Sequence, residues 1–396
     1  MALALTLNRI ISALDSGEHV IGSFLDLRKA FETINFDILF SKLCHYGIRG
    51  RGCSLLKHYL SDRKQQVVMN GENSSFKETK CGVPQGSVLG PLLFLIYIND
   101  LPNCLSQSYP IMYADDTNIF ITNKDFTTIE ETLNQDLNSL STWLRANKLS
   151  LNVEKKTHSI TFSLNFEISS RKPNLRINNT IIDSVTSTNF LGVKIDNKLK
   201  WDIHINYIAT KISRSIGILK KASKFFDDST LRTLYNCLIH PYLDYCILIW
   251  GNAPKTYIVR LLRLQKRGLR VITHSHFLAH TTPLFNSQKF LKFDDIFSTR
   301  CIIFTYKIYS FLFPSSFADE FRMFNPQHSH LTRISSNNNV TIPRYRTSLG
   351  QKSLRYLSSK HYNEFLIPNR IFHLDSLSKL KKFLIDYFLS NYMYVD

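Results

Sequence analysis

Between Ile111 and Ile121 the chain reads IMYADDTNIFI. Ile111 and Tyr113 precede two adjacent carboxylates, Asp115 and Asp116, and Ile119, Phe120 and Ile121 follow them. The stretch therefore has the β-branched and aromatic flanks of two strands around an acidic tip. A plain hairpin tip favours Asn-Gly or Asp-Gly, because its central residues take positive φ, yet Ala-Asp-Asp-Thr contains no glycine. Two like charges side by side repel each other, and a bound cation would relieve that repulsion. On the local pattern alone a solvated turn is the simpler reading, and the rest of the chain has to decide.

At 396 residues the chain exceeds one ordinary core, so two or three domains are expected, and 28 Phe and 18 Tyr suffice to fill them. The longest obvious apolar run, LLFLIYI from Leu92, is far short of the roughly 20 residues of a membrane span, so no membrane role is expected. The amino terminus has helical spacing and lacks the basic start and cleavage site of a signal peptide. Seven cysteines are scattered, odd in number and never spaced as CxxC, which predicts reduced intracellular thiols and neither a disulfide framework nor a zinc module. A formal net charge of +18 points to a polyanionic partner, with nucleic acid favoured over membrane.

Apolar spacing predicts a helix over Leu3–Leu14, then a strand in HVIGSFLDL that carries Asp26 near its end, then helix through RKAFETINFDILFSKLCHYGI. QQVVMN and SSFKETK read as a hairpin about Gly71-Glu72-Asn73. GVPQGSVLGPLLFLIYINDL starts as a Gly/Pro loop and becomes a buried helix, and Ile129, Leu133, Leu137, Leu140 and Leu144 mark another helix after the acidic hairpin. Strands alternating with helices predict an α+β fold. From about Trp201 the chain turns to long basic helical stretches. His274, His276 and His280 have no partner at metal spacing and read as surface or core histidines, and SSNNNV from Ser335 reads as a loop.

Three patterns occur in order: FLDLRKAF at Phe24, GVPQGSVLGPLLFLIYINDLP at Gly82 and YADD at Tyr113. Together they resemble the reverse transcriptase of non-LTR, LINE-like retrotransposons of the jockey and CR1 group. The resemblance extends through LSLNVEKKTHSITF at Leu149, FLGVKIDNKLKW at Phe190, and LIHPYLDYCILIWGNA with LLRLQKRGLRVIT, to about residue 275. Leu89-Gly90-Pro91 after the PQG loop favours the retrotransposon branch over group II intron maturases. The resemblance implies a right-hand polymerase palm with partial fingers over residues 1–195, a helical thumb-like region over 196–275, and a helical region of unknown role over 276–396. It implies RNA-directed DNA polymerase activity, with an RNA template, a DNA primer and deoxynucleoside triphosphates as partners, acting in the nucleus on cytoplasmic element RNA.

Nucleotidyl transfer of this kind requires two divalent cations, one lowering the pKa of the primer 3′-hydroxyl and one clamping the triphosphate. Hard Mg²⁺, with Mn²⁺ as the alternative, takes carboxylates and phosphate oxygens. The resemblance therefore makes Asp26 and Asp115 the principal ligands with Asp116 beside them, and the opening question is answered by half a metal site. It places Phe31 under the sugar of the incoming nucleotide, where a ring would clash with a ribose 2′-hydroxyl; the alternative is a core residue of the following helix. Gln85 and Gly86 fall beside nucleotide and template, in a loop whose glycines allow close approach. Lys155 and Lys156 both qualify as the lysine that protonates pyrophosphate, because Glu-Lys-Lys-Thr runs one residue longer than the family pattern. FLGVKID resembles the segment gripping the primer terminus, with Trp201 as either its neighbour or core packing.

In IVRLLRLQKRGLRVI, Arg260, Arg263, Arg267 and Arg270 recur at helical steps and form one stripe beside an apolar face. No acid interrupts the segment, so phosphate contact is favoured over a solvated face. Glu32 stands where the family most often has Asp, with its charge kept. The fingers and endonuclease segments that precede this region in relatives are not in the chain, which predicts an amino-terminally truncated open reading frame. The alternative to an active polymerase is therefore a catalytically incompetent nucleic-acid-binding remnant.

Overall fold

The strand expected around Ile21 forms as His19–Asp26 and becomes the centre of a five-stranded sheet. The computed structural model describes residues 1–153, 156–322, 340–369 and 376–392, with side chains of the third segment described to Phe365. These divide into two units, residues 17–186 and residues 3–16 with 187–396. The architecture is α+β, with the large sheet confined to the first unit.

Across that sheet the order is Asp183–Ser184, His158–Phe162, His19–Asp26, Asp116–Asn123 and Tyr109–Tyr113. All neighbours are antiparallel except the first pair. Side chains alternate across a strand. Ile21, Leu25, Ile119 and Ile121 thus share one face and enter the unit's core with Leu133, Leu137 and Leu140 of the helix Phe126–Ala146 and Leu93, Phe94 and Tyr97 of the helix Leu89–Ile98. Gly22, Phe24 and Asp26 take the other face, where Phe24 meets Phe120 edge-on at 5.7 Å and stacks on His158 at 5.5 Å. A β-carbon at Gly22 would lie 2.6 Å from the Phe120 ring, so glycine there lets the aromatic lie flat on the strand.

Several expectations change in detail. Residues 28–33 form a turn, with Glu32 N and Thr33 N donating to Lys29 O, and the helix starts only at Phe36. Asn35 caps it by accepting from Ile38 N at 3.1 Å, a local competition that ends the turn and opens the helix. A further helix, Gly50–Leu60, follows it. The hairpin over residues 64–78 turns at Asn70-Gly71, both at positive φ, rather than at Gly71-Glu72-Asn73. Asn-Gly suits such a turn because both residues tolerate left-handed backbone.

In the second unit helices dominate, with the hairpin Ser187–Phe190 and Val193–Asp196 at its start. The resemblance implies a boundary at residue 195 and composition shifts near Trp201, whereas this unit takes in residues from 187 and the first helix, Ala2–Asp15, as well. The reason is chemical. Asp15 accepts from Thr347 N at 2.8 Å, Thr347 Oγ1 at 2.6 Å and Arg346 N at 3.1 Å, and Arg9 pairs with Glu320. The SSNNNV segment lies outside the described residues except for Val340. His274, His276 and His280 are exposed, with His274 Nε2 3.6 Å from Asp228 and His276 Nδ1 accepting from Leu278 N. No helix among the described residues is long and apolar enough to cross a membrane.

One buried carboxylate fixes the acidic hairpin to the core helix. Asp136 accepts from Ser106 N at 2.7 Å, Ser106 Oγ at 2.8 Å, Gln107 N at 3.3 Å and Ser108 N at 2.8 Å, just before the strand Tyr109–Tyr113. Burial raises its pKa, but the bonds from Ser106 and Ser108 outweigh burial and leave it below 3.8. A carboxyl depressed on folding stabilises the fold fully above its unfolded value and loses that contribution as pH falls through the folded value. Asp136→Asn, which puts a donor against donors, should cost about 2–3 kcal/mol at neutral pH in urea unfolding. It should also flatten the acid limb of stability below pH 3.8, the ordinary carboxylate value. Equal stability of the two proteins at both pH values would contradict this role.

Candidate active site

The acidic tip is a hairpin in which Tyr113 pairs with Asp116 and only Ala114 and Asp115 turn. Ala114 sits at φ 52°. A left-handed alanine costs about 1–2 kcal/mol relative to ordinary backbone, and the strand pairing on both sides holds it there. Such strain aims the residue that follows, which is Asp115.

Asp116 is in turn the register partner of Asp26 on the central strand. Partners in an antiparallel pair project from the same face, so the two carboxylates stand side by side at the end of the sheet. Asp115 and Asp116 are exposed, and the Asp26 side chain is 31% exposed. Partial burial lifts the Asp116 pKa first, and the Asp115 and Asp26 carboxylates lift it further, while Lys156 pulls it down. Three of the residues singled out by sequence therefore share one electrostatic site. No group of three or more His, Cys, Asp or Glu among the described residues forms a ready cage for a metal ion. The cluster is open, a form suited to Mg²⁺, which usually binds one or two carboxylates and completes its shell with water and phosphate oxygens. Its all-oxygen donors and their mutual repulsion fit a hard divalent ion.

Ser150, Asn152, Lys156 and Thr157 surround Asp26 and its neighbour Arg28. Arg28 N donates to Ser150 O at 2.8 Å, Asn152 N donates to Asp26 O at 2.9 Å, and Asp26 N reaches Thr157 Oγ1 at 3.5 Å. Asn152 Nδ2 approaches Asp26 Oδ2 and Lys156 Nζ approaches Asp26 Oδ1, each at 3.4 Å. Asn152 and Thr157 belong to the LSLNVEKKTHSITF segment, but nothing in their residue type marks them as supports for the acid. Of the two candidate lysines, Lys156 lies at the cluster, and Lys155 is outside the described residues.

Phe31 is half-buried, with its ring 4.5 Å from that of Phe94. It lies in the turn and not in the following helix, so the core contact comes from the neighbouring helix Leu89–Ile98. Its carbonyl accepts from Val83 N at 2.9 Å, and Gly82 N donates to Ile34 O at 2.8 Å, which stitches the turn to the loop of Gln85 and Gly86. At Gly82, φ is +82° and a β-carbon would lie 2.6 Å from Glu32 O, so only glycine fits. Arg63 holds the Gly82 carbonyl and Gln85 Nε2 donates to Glu32 Oε1 at 3.2 Å. Gly86 has φ +78° with open space around it. Beside this loop opens a cavity of about 530 Å³ that includes Arg63, Lys80, Glu32 and Gln85 in its lining.

The arginine stripe belongs to the other unit, on the helix Lys255–Ile272, whose Ile258, Leu261, Leu269 and Ile272 are buried. Two of its four members are engaged: Arg260 donates to Asn206 Oδ1, and Arg270 donates through Nε and Nη2 to Ala279 O at 3.0 and 2.9 Å. Arg263 and Arg267 are exposed. A cavity of about 570 Å³ gathers Arg267 and Arg270 with Lys220, His274 and the exposed Phe277. In the hairpin before this helix region, Asp196 accepts from Lys198 N, Lys200 N and Trp201 N, and Trp201 is buried at 5% exposure, a packing residue.

Comparison with known proteins bears on this geometry. Residues 5–195 match the family described as reverse transcriptase (RNA-dependent DNA polymerase). The chain is 25% identical over 307 residues to the RNA-directed DNA polymerase from mobile element jockey of Drosophila melanogaster, covering 73% of this chain and 32% of that protein. It is 28% identical over 291 residues to the probable RNA-directed DNA polymerase from transposon BS of the same species, covering 69% and 31%. The chain thus spans about a third of the length of these curated relatives. Among solved structures, apo telomerase from Candida tropicalis aligns over 96% of this chain and 55% of its own, with 12% identity and a TM-score of 0.39. Residues 5–195, which hold all three aspartates, are a reverse transcriptase domain of the kind found in non-LTR retrotransposon polymerases.

Proposed function

We propose that the chain is the catalytic and nucleic-acid-binding part of a non-LTR retrotransposon RNA-directed DNA polymerase, extending a DNA primer on an RNA template with deoxynucleoside triphosphates. The observation that carries this reading is the register pairing of Asp26 with Asp116 next to the strained turn that presents Asp115. Asp26, Asp115 and Asp116 are the residues that would hold Mg²⁺, or Mn²⁺ in its place. Such ions, when bound, supply Lewis-acid charge to the primer hydroxyl and the triphosphate.

The remaining roles fall to the chain's own groups. Lys156, with 65% of its side chain exposed, can leave Asp26 and give an Nζ proton to the departing pyrophosphate. In this reading the Phe31 ring, braced by Phe94, blocks a 2′-hydroxyl and admits a deoxyribose. Gly86, with open space about it, lets the backbone approach nucleotide and template, and Gln85 is fixed beside it through Glu32. The residues 17–186 supply palm and partial fingers in this reading, and the helices around Lys255–Ile272 act as a thumb. Of the stripe, Arg263 and Arg267 are the phosphate contacts, whereas Arg260 and Arg270 chiefly hold neighbouring segments.

Primer extension on a homopolymer RNA template tests the proposal. The chain should extend the primer, and Asp115→Asn should abolish extension while RNA binding stays near that of the parent. Extension that survives the substitution would overturn the site, and a parent chain that binds RNA without extending any primer would favour the incompetent remnant. Phe31→Val should raise ribonucleotide over deoxynucleotide incorporation; an unchanged ratio in a folded variant would leave Phe31 a packing residue. Replacing both Arg263 and Arg267 by Gln should flatten the slope of log K against log salt by roughly 0.7–0.9 for each arginine that neutralises a phosphate, whatever the nucleic-acid sequence. An unchanged slope would mean that these arginines only face water.

A further inference from the structure

Two thiols meet where the helix Phe36–His45 hands the chain on to the helix Gly50–Leu60. Cys44 and Cys53 are both free, and their Sγ atoms lie 3.9 Å apart. A disulfide needs about 2.05 Å between its sulphurs, so a side-chain shift of roughly 2 Å separates this contact from a bond. The connection between the helices turns at Gly47, φ +89°, and Gly50, φ +57°, with open space about both, so little there resists such a shift.

The two thiols differ in access. Cys44 is exposed, whereas Cys53 is 7% exposed. Burial raises the Cys53 pKa first and Cys44 raises it further, while Lys57 draws it down. Cys53 therefore rests as a protonated, shielded thiol, inert until a reactive group forms beside it. The surroundings are basic: from Lys42 to His58 the sequence carries Lys42, His45, Arg49, Arg51, Lys57 and His58 and no carboxylate residue. Arg49 is held at Cys44, donating through Nε to its carbonyl at 3.2 Å. Positive charge around an accessible thiol draws in anionic oxidants.

We propose that Cys44 and Cys53 are a redox modification site, with an anionic low-molecular-weight disulfide, glutathione disulfide, as the oxidant. The Cys44 thiolate attacks one sulphur of that disulfide, forms a mixed disulfide and expels one glutathione as thiolate. The Cys53 thiolate then attacks Cys44 Sγ, closes the protein disulfide and expels the second glutathione. Two protein thiols are oxidised, one glutathione disulfide is reduced, and the two thiol protons pass through solvent to the departing thiolates. The bond joins the helix after the Phe31 turn to the helix that leads into Arg63, whose guanidinium holds Gly82 O. Oxidation thereby stiffens the support of the Gln85 loop. The chemistry does not depend on polymerase activity.

Oxidation of the full folded chain with glutathione disulfide, then acid quenching, alkylation of the remaining thiols and tryptic mass spectrometry, tests the site. Trypsin cuts after Lys42, Arg49, Arg51 and Lys57, so the bond shows as Leu43–Arg49 joined to Gly52–Lys57. The linked pair should form at least about tenfold faster than any cross-link of Cys81 or Cys237, which are also exposed, because a neighbouring thiol resolves the mixed disulfide without a second encounter. Dithiothreitol should reverse it, and the oxidised chain should melt above the reduced one. Cys53→Ser should trap glutathione on Cys44. Cys44→Ser should slow modification of Cys53 by about tenfold or more, and neither variant should gain melting temperature on oxidation. Glutathione that stays on Cys44 of the parent while Cys53 remains free, a Cys44 that does not react, or a link that forms only in urea would overturn the site. An oxidised chain that melts no higher than the reduced one would overturn it too, since the native fold would not accommodate the bond.

Discussion

The pairing of Asp26 with Asp116 across two antiparallel strands is the constraint on which the candidate site rests. Strand register is quantised, and a slip of one residue would send one carboxylate to the opposite face. The register is held from both sides of the sheet: Ile21, Leu25, Ile119 and Ile121 must reach the helical core, while Phe24 and Phe120 must meet over Gly22. Burial of the apolar face thus decides where the acids stand. Their mutual repulsion is a cost that the core carries, and it adds to partial burial in raising the pKa of Asp116.

Around this pair the chain uses backbone more than side chains. Ser150, Asn152 and Thr157 bind the main chain of Asp26 and of Arg28, so the acid is fixed at its peptide before its carboxylate meets anything. The turn at residues 28–33 is fixed in the same way to the loop after Cys81, with Gly82 against Glu32. Carboxylate, aromatic ring and glycine loop are therefore positioned by one continuous network of main-chain hydrogen bonds. That design leaves the side-chain atoms of Asp115, Asp116, Gln85 and Lys156 at the solvent side, open to a ligand.

Much of this was legible in the sequence because it depends on periodicity. The central strand and the acidic hairpin show their apolar, β-branched and aromatic runs openly, and the helix Phe126–Ala146 its three-and-four spacing. What was not legible depends on distant partners. Helical propensity after Asp26 gave way to a turn because Asn35 caps the helix and Val83 and Gly82 claim the carbonyls of Phe31 and Ile34. The first helix reads as part of the region around Asp26, yet Asp15 finds its donors at Arg346 and Thr347, more than three hundred residues away in the chain. The arginine stripe was visible as a spacing, but that Asn206 and Ala279 occupy two of its members was not.

The central claim is that Asp26, Asp115 and Asp116 jointly bind a divalent ion, and iron-directed cleavage reads this without any need for catalysis. With Fe²⁺, ascorbate and peroxide, hydroxyl radicals cut backbone close to the bound ion, and mass spectrometry locates the cuts. Cleavage should fall in two separated stretches, around Asp26 and around Asp115-Asp116, and should be suppressed both by excess Mg²⁺ and by Asp116→Asn. Cuts that avoid either stretch, or that persist unchanged under excess Mg²⁺, would contradict the account.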